Sequence, residues 1–406
     1  MTHMRPNFSI EALNRAVYLI GSPDTVEQMP SLPVRESFSE EAIDFLNTVS
    51  KLLMGERDAR AYPDVTTLAF WLRRASLNSL KARFAPTGSR LCLGRGVAFH
   101  IAPSNVPVNY AYSMAAGLLT GNANVIRVPS KDFPQVDLIN RALEKALAAH
   151  ENMRPYLCLM RYDRSREVND ALSAIADVRI VWGGDATIME IRRSPLPPRS
   201  TEVTFADRFS LAVIDSDAYL AMEDKKRVAL DFYNDTYLTD QNACTSPRLV
   251  VWTGSHKEQA KAVFWDALHE LVISKYTFQP IMGVNKMTSA CLAGVALDGV
   301  RQEPHTDNYL VRVRISEPTP ALIDLRDNSG FFFEYDCDDL MKLRSLCADD
   351  RCQTLGYIGN REMFKPLLLS GIKGIDRIVP IGKSMDFDLI WDGYDLTERL
   401  TRIICI

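Results

Sequence analysis

Apolar residues recur at helical spacing through the first part of the chain. Between 40 and 54 they fall at Ala42, Ile43, Phe45, Leu46, Val49, Leu52 and Leu53, and 68–80 repeats the habit, which predicts a helical stretch to about residue 83. Beyond Leu91 the pattern changes. Short β-rich runs at 97–101, 124–128 and 178–182 alternate with helical stretches at 110–119, 138–149 and 185–192, as in a parallel α/β sheet. The alternation starts afresh near Phe209, with strand 210–214, helix 224–237, strand 248–253 and helix 257–273. Between the two series, 193–204 holds three prolines and little periodicity and reads as a linker. The expected organisation is a helical lead-in over 1–85, an α/β domain over 86–205, a second α/β domain over 206–382 and a C-terminal return segment over 383–406.

Composition supports two packed domains. The 406 residues exceed the roughly 250–300 at which one core stops growing. With 47% hydrophobic and 24% charged residues, disordered and fibrous classes are excluded. Lys and Arg total 47 against 51 Asp and Glu, a net charge of −4, so no broad basic field exists and nucleic acid is not an expected partner. The most apolar stretch, 111–119, is cut off by Thr120, Gly121 and Asn122, short of the roughly 20 residues of a membrane span. The opening residues lack a basic segment followed by an apolar core, so no signal peptide is expected. Eight cysteines without a C-x-x-C pair read as reduced thiols in a cytoplasmic protein.

An α/β sheet invites a nucleotide, yet neither G-x-G-x-x-G after a strand nor G-x-x-x-x-G-K-[ST] is present. Two strand ends remain as candidates. Strand 178–182 runs into Gly183 and Gly184 and a helix starting near Asp185, whose free N–H groups suit a diphosphate. With Asp185 as N-cap those donors are already satisfied, and the pair is a plain Gly-Gly turn. Strand 124–128 leads into Pro129, so Arg127, Ser130 and Lys131 stand at the ligand edge of a parallel sheet; Arg127 as an ordinary surface cation is the alternative.

Among the thiols, Cys92, Cys158, Cys291 and Cys405 lie among aliphatic residues and read as buried and inert. Cys337, Cys347 and Cys352 lie near several Asp residues, but no His accompanies them and the spacing fits no zinc pattern, so no metal is expected. Cys244 differs. It sits in a run of small polar residues, 239–247, between an amphipathic helix and an apolar strand, where a thiol is accessible and can serve as a nucleophile. Asn105 follows strand 97–101 in a tight turn, as an oxyanion donor or simply a cap. Of the six His residues only His100 lies near these motifs, which disfavours a Ser-His-Asp triad.

The runs HIAPSNVPVNYAYSMAAGLLTGNANVIRVPSK (100–131) and DQNACTSPR (240–248) together resemble the aldehyde dehydrogenase superfamily, and more closely its acyl-CoA reductase branch, typified by the fatty-acyl reductase of bacterial bioluminescence. CQTLGY (352–357), GIDRIVPIGKSM (374–385) and WDG (391–393) are similar to the same branch, so the likeness extends over about 94–396. It implies an α/β fold of two domains, one for a nicotinamide cofactor and one catalytic, with the active site in the cleft between them. Cys244 matches the family's catalytic cysteine, and Asn105 its oxyanion-binding asparagine. Arg127 stands where the superfamily usually has a Lys on the adenine ribose, Ser130 follows in the same Pro-Ser pair, and Lys131 replaces a Glu common in NAD-preferring members. Two cations there would attract a 2′-phosphate, so NADPH is expected rather than NADH.

The departures point the same way. Oxidising members carry a water-activating Glu about thirty residues before the cysteine; here 202–209 offers only Asp207, for which an ion pair is the simpler reading. The superfamily's Glu-x-Phe-Gly-Pro motif is also missing, and Glu334 reads as a strand-face residue. Reduction of an acyl thioester to an aldehyde through an acyl-cysteine requires no activated water. The expected substrate is an acyl-CoA or a protein-bound acyl group, with an acyl-activating enzyme as a partner, and the chain is expected to form a homo-oligomer in which the apolar run 400–406 is an edge strand buried by docking. Two other readings stand beside it: a Cys244-dependent acyl transferase or thioesterase without hydride transfer, and a non-catalytic subunit of an acyl-activating enzyme.

Overall fold

The computed structural model describes residues 9–86, 90–304 and 306–405. The first eight residues, with the leader expectation that rests on them, and Ile406 of the C-terminal apolar run lie outside the described residues. The chain divides into two compact units, one of residues 1–206 with 389–406 and the other of 207–388.

The first unit is built on a six-stranded sheet. Its strands are β1 (Val17–Ile20), β3 (Val97–Ile101), β4 (Ala123–Arg127), β5 (Leu157–Arg161), β6 (Val178–Trp182) and β7 (Thr201–Phe205), β2 (Arg90–Gly94) lying outside it. The order is β1-β5-β4-β3-β6-β7, with β1 antiparallel at one edge and the rest parallel. β3 and β6 are buried along their whole length, as central parallel strands covered on both faces must be. The N-terminal stretch is not purely helical, because 17–20 adds the β1 edge strand. The linker expected at 193–204 is also corrected: 201–205 extends the sheet as β7. Arg179 on β6, only 2% exposed, explains why, since its Nε donates to Glu202 on β7 at 2.8 Å and its Nη1 to the Ser194 carbonyl at 2.7 Å. A charge buried that deeply requires those partners, so the proline-rich segment is bound to the sheet.

A polar network ties the centre of this unit together. His100 on β3 bonds Ser113 through Nδ1 at 2.7 Å and Asn124 on β4 through Nε2 at 2.9 Å, while Trp182 Nε1 on β6 donates to the same Ser113 oxygen at 3.1 Å. Gly117 leaves the room this needs; a Cβ there would lie 1.8 Å from Asn124 Oδ1.

The second unit holds β8 (Phe209–Asp215), β9 (Pro247–Thr253), β10 (Arg301–Gln302), β11 (Val311–Arg314), β12 (Phe331–Asp336), β13 (Cys352–Ile358) and β14 (Arg377–Pro380), in the order β10-β11-β12-β9-β8-β13-β14. Only β10 is antiparallel. Alternate residues serve two cores. Leu211, Val213, Leu249, Val251, Phe331 and Phe333 pack on one face, and Ala212, Ile214, Val250, Trp252 and Phe332 on the other. Glu334 lies inside the second face, where it accepts from Trp252 and Trp265 Nε1 at 2.8 and 2.6 Å and pairs with Arg312 at 3.3 Å. The remaining strands, β15 (Ile390–Trp391), β16 (Tyr394–Asp395) and β17 (Thr401–Cys405), follow the second unit, and β17 pairs antiparallel with β2.

Full burial pushes His100 down from 6.5 to about 4. As pH falls from 6.5 toward 4 the unfolded chain therefore takes up a proton that the folded chain excludes, and stability drops across that window, by about 3 kcal/mol at its lower end. Urea midpoints between pH 7 and 4.5 are expected to fall more steeply for the wild type than for His100→Asn; equal slopes would mean that His100 is charged in the folded state.

Candidate active site

Three neighbouring parallel strands, β4-β3-β6, bring the candidates of the first unit to one edge of its sheet. Asn105 follows β3 in a bend before the helix Asn109–Leu119 and is exposed. Arg127 is the last residue of β4, with exposed Ser130 and Lys131 just beyond. Gly183 and Gly184 follow β6. β3 and β6 leave this edge toward opposite sides of the sheet, the point at which doubly wound sheets open a ligand crevice.

Arg127 is not an idle surface cation. Its guanidinium lies 4.6 Å from the Tyr162 ring centre and donates to the Tyr162 carbonyl at 3.3 Å, which fixes its direction at the strand end. Lys131 lies 5.1 Å from the Phe133 ring centre. Asp185 does not cap the helix Asp185–Arg192: the N-cap is Gly184, and no side chain bonds the first-turn amides. Asp185 is instead the first helical residue, because the extended backbone of the cap falls one position earlier, on glycine. No side chain at 184 crowds the approach, since a Cβ there would meet nothing within 4 Å. These residues fit a dinucleotide: uncapped amides for a diphosphate, and two cations two strands away for a ribose phosphate.

Cys244 lies in the second unit, in the turn before β9, at the amino edge of that sheet, and is partly buried. The turn is held by side chains from distant segments. Asp240 and Gln241 both have left-handed backbones, at φ 51° and 59°. The Gln241 side chain, wholly buried, offsets this strain: its Nε2 donates to the Pro247 and Phe331 carbonyls at 2.8 and 3.1 Å, and its Oε1 accepts from the Gly330 and Phe331 amides at 2.9 and 3.3 Å. Arg248 donates to the Gln241 and Asp327 carbonyls. Burial and the neighbouring Arg326 push its guanidinium down to about 9, against the carboxylates of Asp327 and Asp207. Ser210 Oγ on β8 donates to the Cys244 carbonyl at 2.7 Å, and Asn328 Nδ2 to Asn242 Oδ1 at 2.7 Å. Gly330, at φ 91°, admits no Cβ, which would fall 2.2 Å from the Tyr237 hydroxyl.

The segment after β14 reaches the same turn. Asp235, 1% exposed, accepts from the Gly382 and Ser384 amides at 2.6 and 3.1 Å, and burial raises its carboxyl to about 6. This places Met385 Sδ 3.2 Å from Thr245 Oγ1, next to the cysteine. Behind 326–330, wholly buried Lys286 donates to the Asn308 and Ser329 carbonyls. Gln241, Arg248, Asp235 and Lys286 were not among the candidates drawn from sequence; an arginine opening an apolar strand and a glutamine three residues before the cysteine were the available signals.

Other candidates resolve simply. His100 is a buried network residue. Asp207 is ion-paired with Arg326. Cys158 is buried and Cys92 half-buried, but Cys291 and Cys405 are exposed, contrary to expectation, because they lie on the outward sides of the helix Pro280–Ala296 and of β17. Cys337, Cys347 and Cys352 are buried, and the described residues contain no cluster able to hold a metal ion. No described helix is long and apolar enough to cross a membrane.

Comparison with known proteins gives the fold and the family. ALDH21, an aldehyde dehydrogenase of Physcomitrella patens crystallised with its reaction product succinate, superposes with a TM-score of 0.66 at 11% identity, covering 97% of this chain and 88% of that one. An NAD-dependent benzaldehyde dehydrogenase from Corynebacterium glutamicum gives 0.63 at 14% identity, over 94% and 87%. The fold is that of the aldehyde dehydrogenases. A long-chain acyl-protein thioester reductase of Photorhabdus luminescens is 23% identical over 322 residues, 76% of this chain, and the match spans 63% of that relative's length. The family model described as acyl-CoA reductase (LuxC) matches residues 36–271, more than half of the chain, and the chain belongs to that family.

Proposed function

We propose that the protein reduces an acyl thioester to an aldehyde through an acyl-Cys244 intermediate. The observation that carries this reading is the anchored turn: a partly buried thiol beside a cation, its backbone fixed by Gln241 and Arg248, in a chain of the acyl-CoA reductase family. The Cys244 thiolate attacks the acyl carbon, the new C–S bond forms, and the donor's thiolate leaves. Asn105 is assigned the amide that steadies the oxyanion. A nicotinamide held by the first unit would supply the hydride that the acyl carbon takes up. The resulting hemithioacetal on Cys244 then collapses, releasing aldehyde and restoring the thiolate. Asp207, the carboxylate in the region where oxidising members carry their base, is held in an ion pair with Arg326.

The first unit is assigned the cofactor, at Arg127, Ser130, Lys131, Gly183 and Gly184, with NADPH preferred over NADH for its 2′-phosphate; the benzaldehyde dehydrogenase of like fold is NAD-dependent. Acyl-CoA or an acylated protein is the donor, the latter after the relative named for acyl-protein thioester reduction, and an acyl-activating enzyme is the partner. A homo-oligomer is supported by Ile281, Val284, Met287, Leu292 and Val295, exposed on one helix, and by exposed Ile403 on β17. Eight free cysteines fit a cytoplasmic location.

Three outcomes test this reading. Cys244→Ala is expected to lose at least about a thousandfold in NADPH consumption with acyl-CoA and to retain no acyl group by intact mass; unchanged turnover would remove the mechanism. Lys131→Glu is expected to weaken NADPH about tenfold while sparing NADH, read as dissociation constants; tighter NADH than NADPH binding by the wild type would sink the cofactor choice. Gln241→Leu leaves several buried backbone groups unpaired and is expected to cost about 3 kcal/mol of stability and to slow acylation of Cys244 with NADPH affinity unchanged.

A further inference from the structure

The two units are wound alike. In the first, β3 is central, β4 and β5 lie to one side and β6 and β7 to the other; in the second, β8 is central, β9 and β12 lie to one side and β13 and β14 to the other. Each sheet therefore has a switch point at its carboxyl edge, between β3 and β6 and between β8 and β13, where departing connections diverge and leave a crevice. The first is the place assigned above to the cofactor. The second is an open crevice of about 530 Å³, within the size range of small-molecule sites, floored by the strand ends at Asp215, Ile358 and Pro380 and flanked by Met222, Val228 and Asp231. It is remote from the nucleophile. Cys244 precedes β9 at the amino edge, and the 7 residues of β9 separate the two edges, about 23 Å at the usual rise.

The lining defines the ligand. Met222, Val228, Ile358 and Ile381 make an apolar wall, and the charged groups on it are two carboxylates, with no Lys or Arg. Asp231 is paired with Arg227 at 3.0 Å. Asp215 makes no ion pair among the described residues; its Oδ1 accepts from the Asp217 and Ala218 amides at 2.9 and 3.1 Å, leaving Oδ2 as an acceptor. The turn after β13 closes against this carboxylate: Gly359 has φ 125°, and a Cβ there would lie 2.9 Å from Asp215 Cβ. An anion would meet repulsion, whereas an ammonium would gain a charge-assisted hydrogen bond and its hydrocarbon body an apolar surface. We propose that the second unit carries a ligand site at the β8/β13 crevice for a primary amine with an apolar body, held by Asp215 and separate from the Cys244 site. This site does not depend on the acyl-reductase reading.

Titration calorimetry of the full chain at pH 7 with tryptamine, its alcohol analogue tryptophol and indole-3-acetate tests it. Tryptamine is expected to bind at least about tenfold more tightly than tryptophol, with no binding of the carboxylate. Asp215→Asn, which keeps a good helix cap, is expected to erase that preference, and Met222→Trp, which fills the cavity, to abolish tryptamine binding. Rates of Cys244 alkylation by iodoacetamide equal to wild type in both variants would establish that the unit is folded. Undetectable tryptamine binding at 10 mM, equal affinity for amine and alcohol, a preference that survives Asp215→Asn, or binding undiminished in folded Met222→Trp would overturn the proposal.

Discussion

A side chain carried on a turn, as Cys244 is, faces a constraint that one carried on a strand or helix does not: the turn's peptide groups have no ladder to satisfy them. Gln241 meets it here. Its buried amide makes four hydrogen bonds to the backbone at Pro247, Gly330 and Phe331, and each buried group left unpaired would cost about 1–3 kcal/mol. Those bonds offset the strain of two left-handed residues, which is why Asp240 and Gln241 can adopt φ values that most side chains avoid. The direction of Cys244 follows from the turn, and so do the neighbouring contacts of Ser210, Arg248 and Met385.

The same sheet winding appears in both units but is put to different uses. In the first, the candidate residues gather at the carboxyl edge, where backbone amides and cations suit a phosphorylated ligand. In the second, the turn that carries Cys244 precedes a strand and so lies at the amino edge. Two cations of this unit, Arg248 and Lys286, point into carbonyl groups rather than outward. Neither offers an exposed anion site.

Much of this was legible in sequence, for identifiable reasons. The central strands are short continuous apolar runs, and β3, β6 and the helix Asp185–Arg192 fall where the pattern puts them. Cys244 stood out because its neighbours are small and polar between two strongly patterned elements. β7 was hidden behind Pro195, Pro197 and Pro198, since an edge strand held by an Arg179–Glu202 pair need not be strongly apolar. Cys291 misled because the helix around it is apolar on its outer face as well as its inner one, so periodicity carries no direction. Gln241 was invisible as an anchor: two of its partners lie some 90 positions along the chain, and no local pattern reports such a pairing.

That separation has a consequence for the order of assembly. The cysteine, its flanking helix and β9 are complete by residue 253, but the groups that shape the turn, the Asp327 carbonyl and the Gly330 and Phe331 amides, arrive only with β12. Closing a loop of that length is an entropic cost met late in folding. A nascent chain therefore displays the thiol before it can direct it, and reactivity at Cys244 becomes a report on whether the distant half of its own sheet has docked.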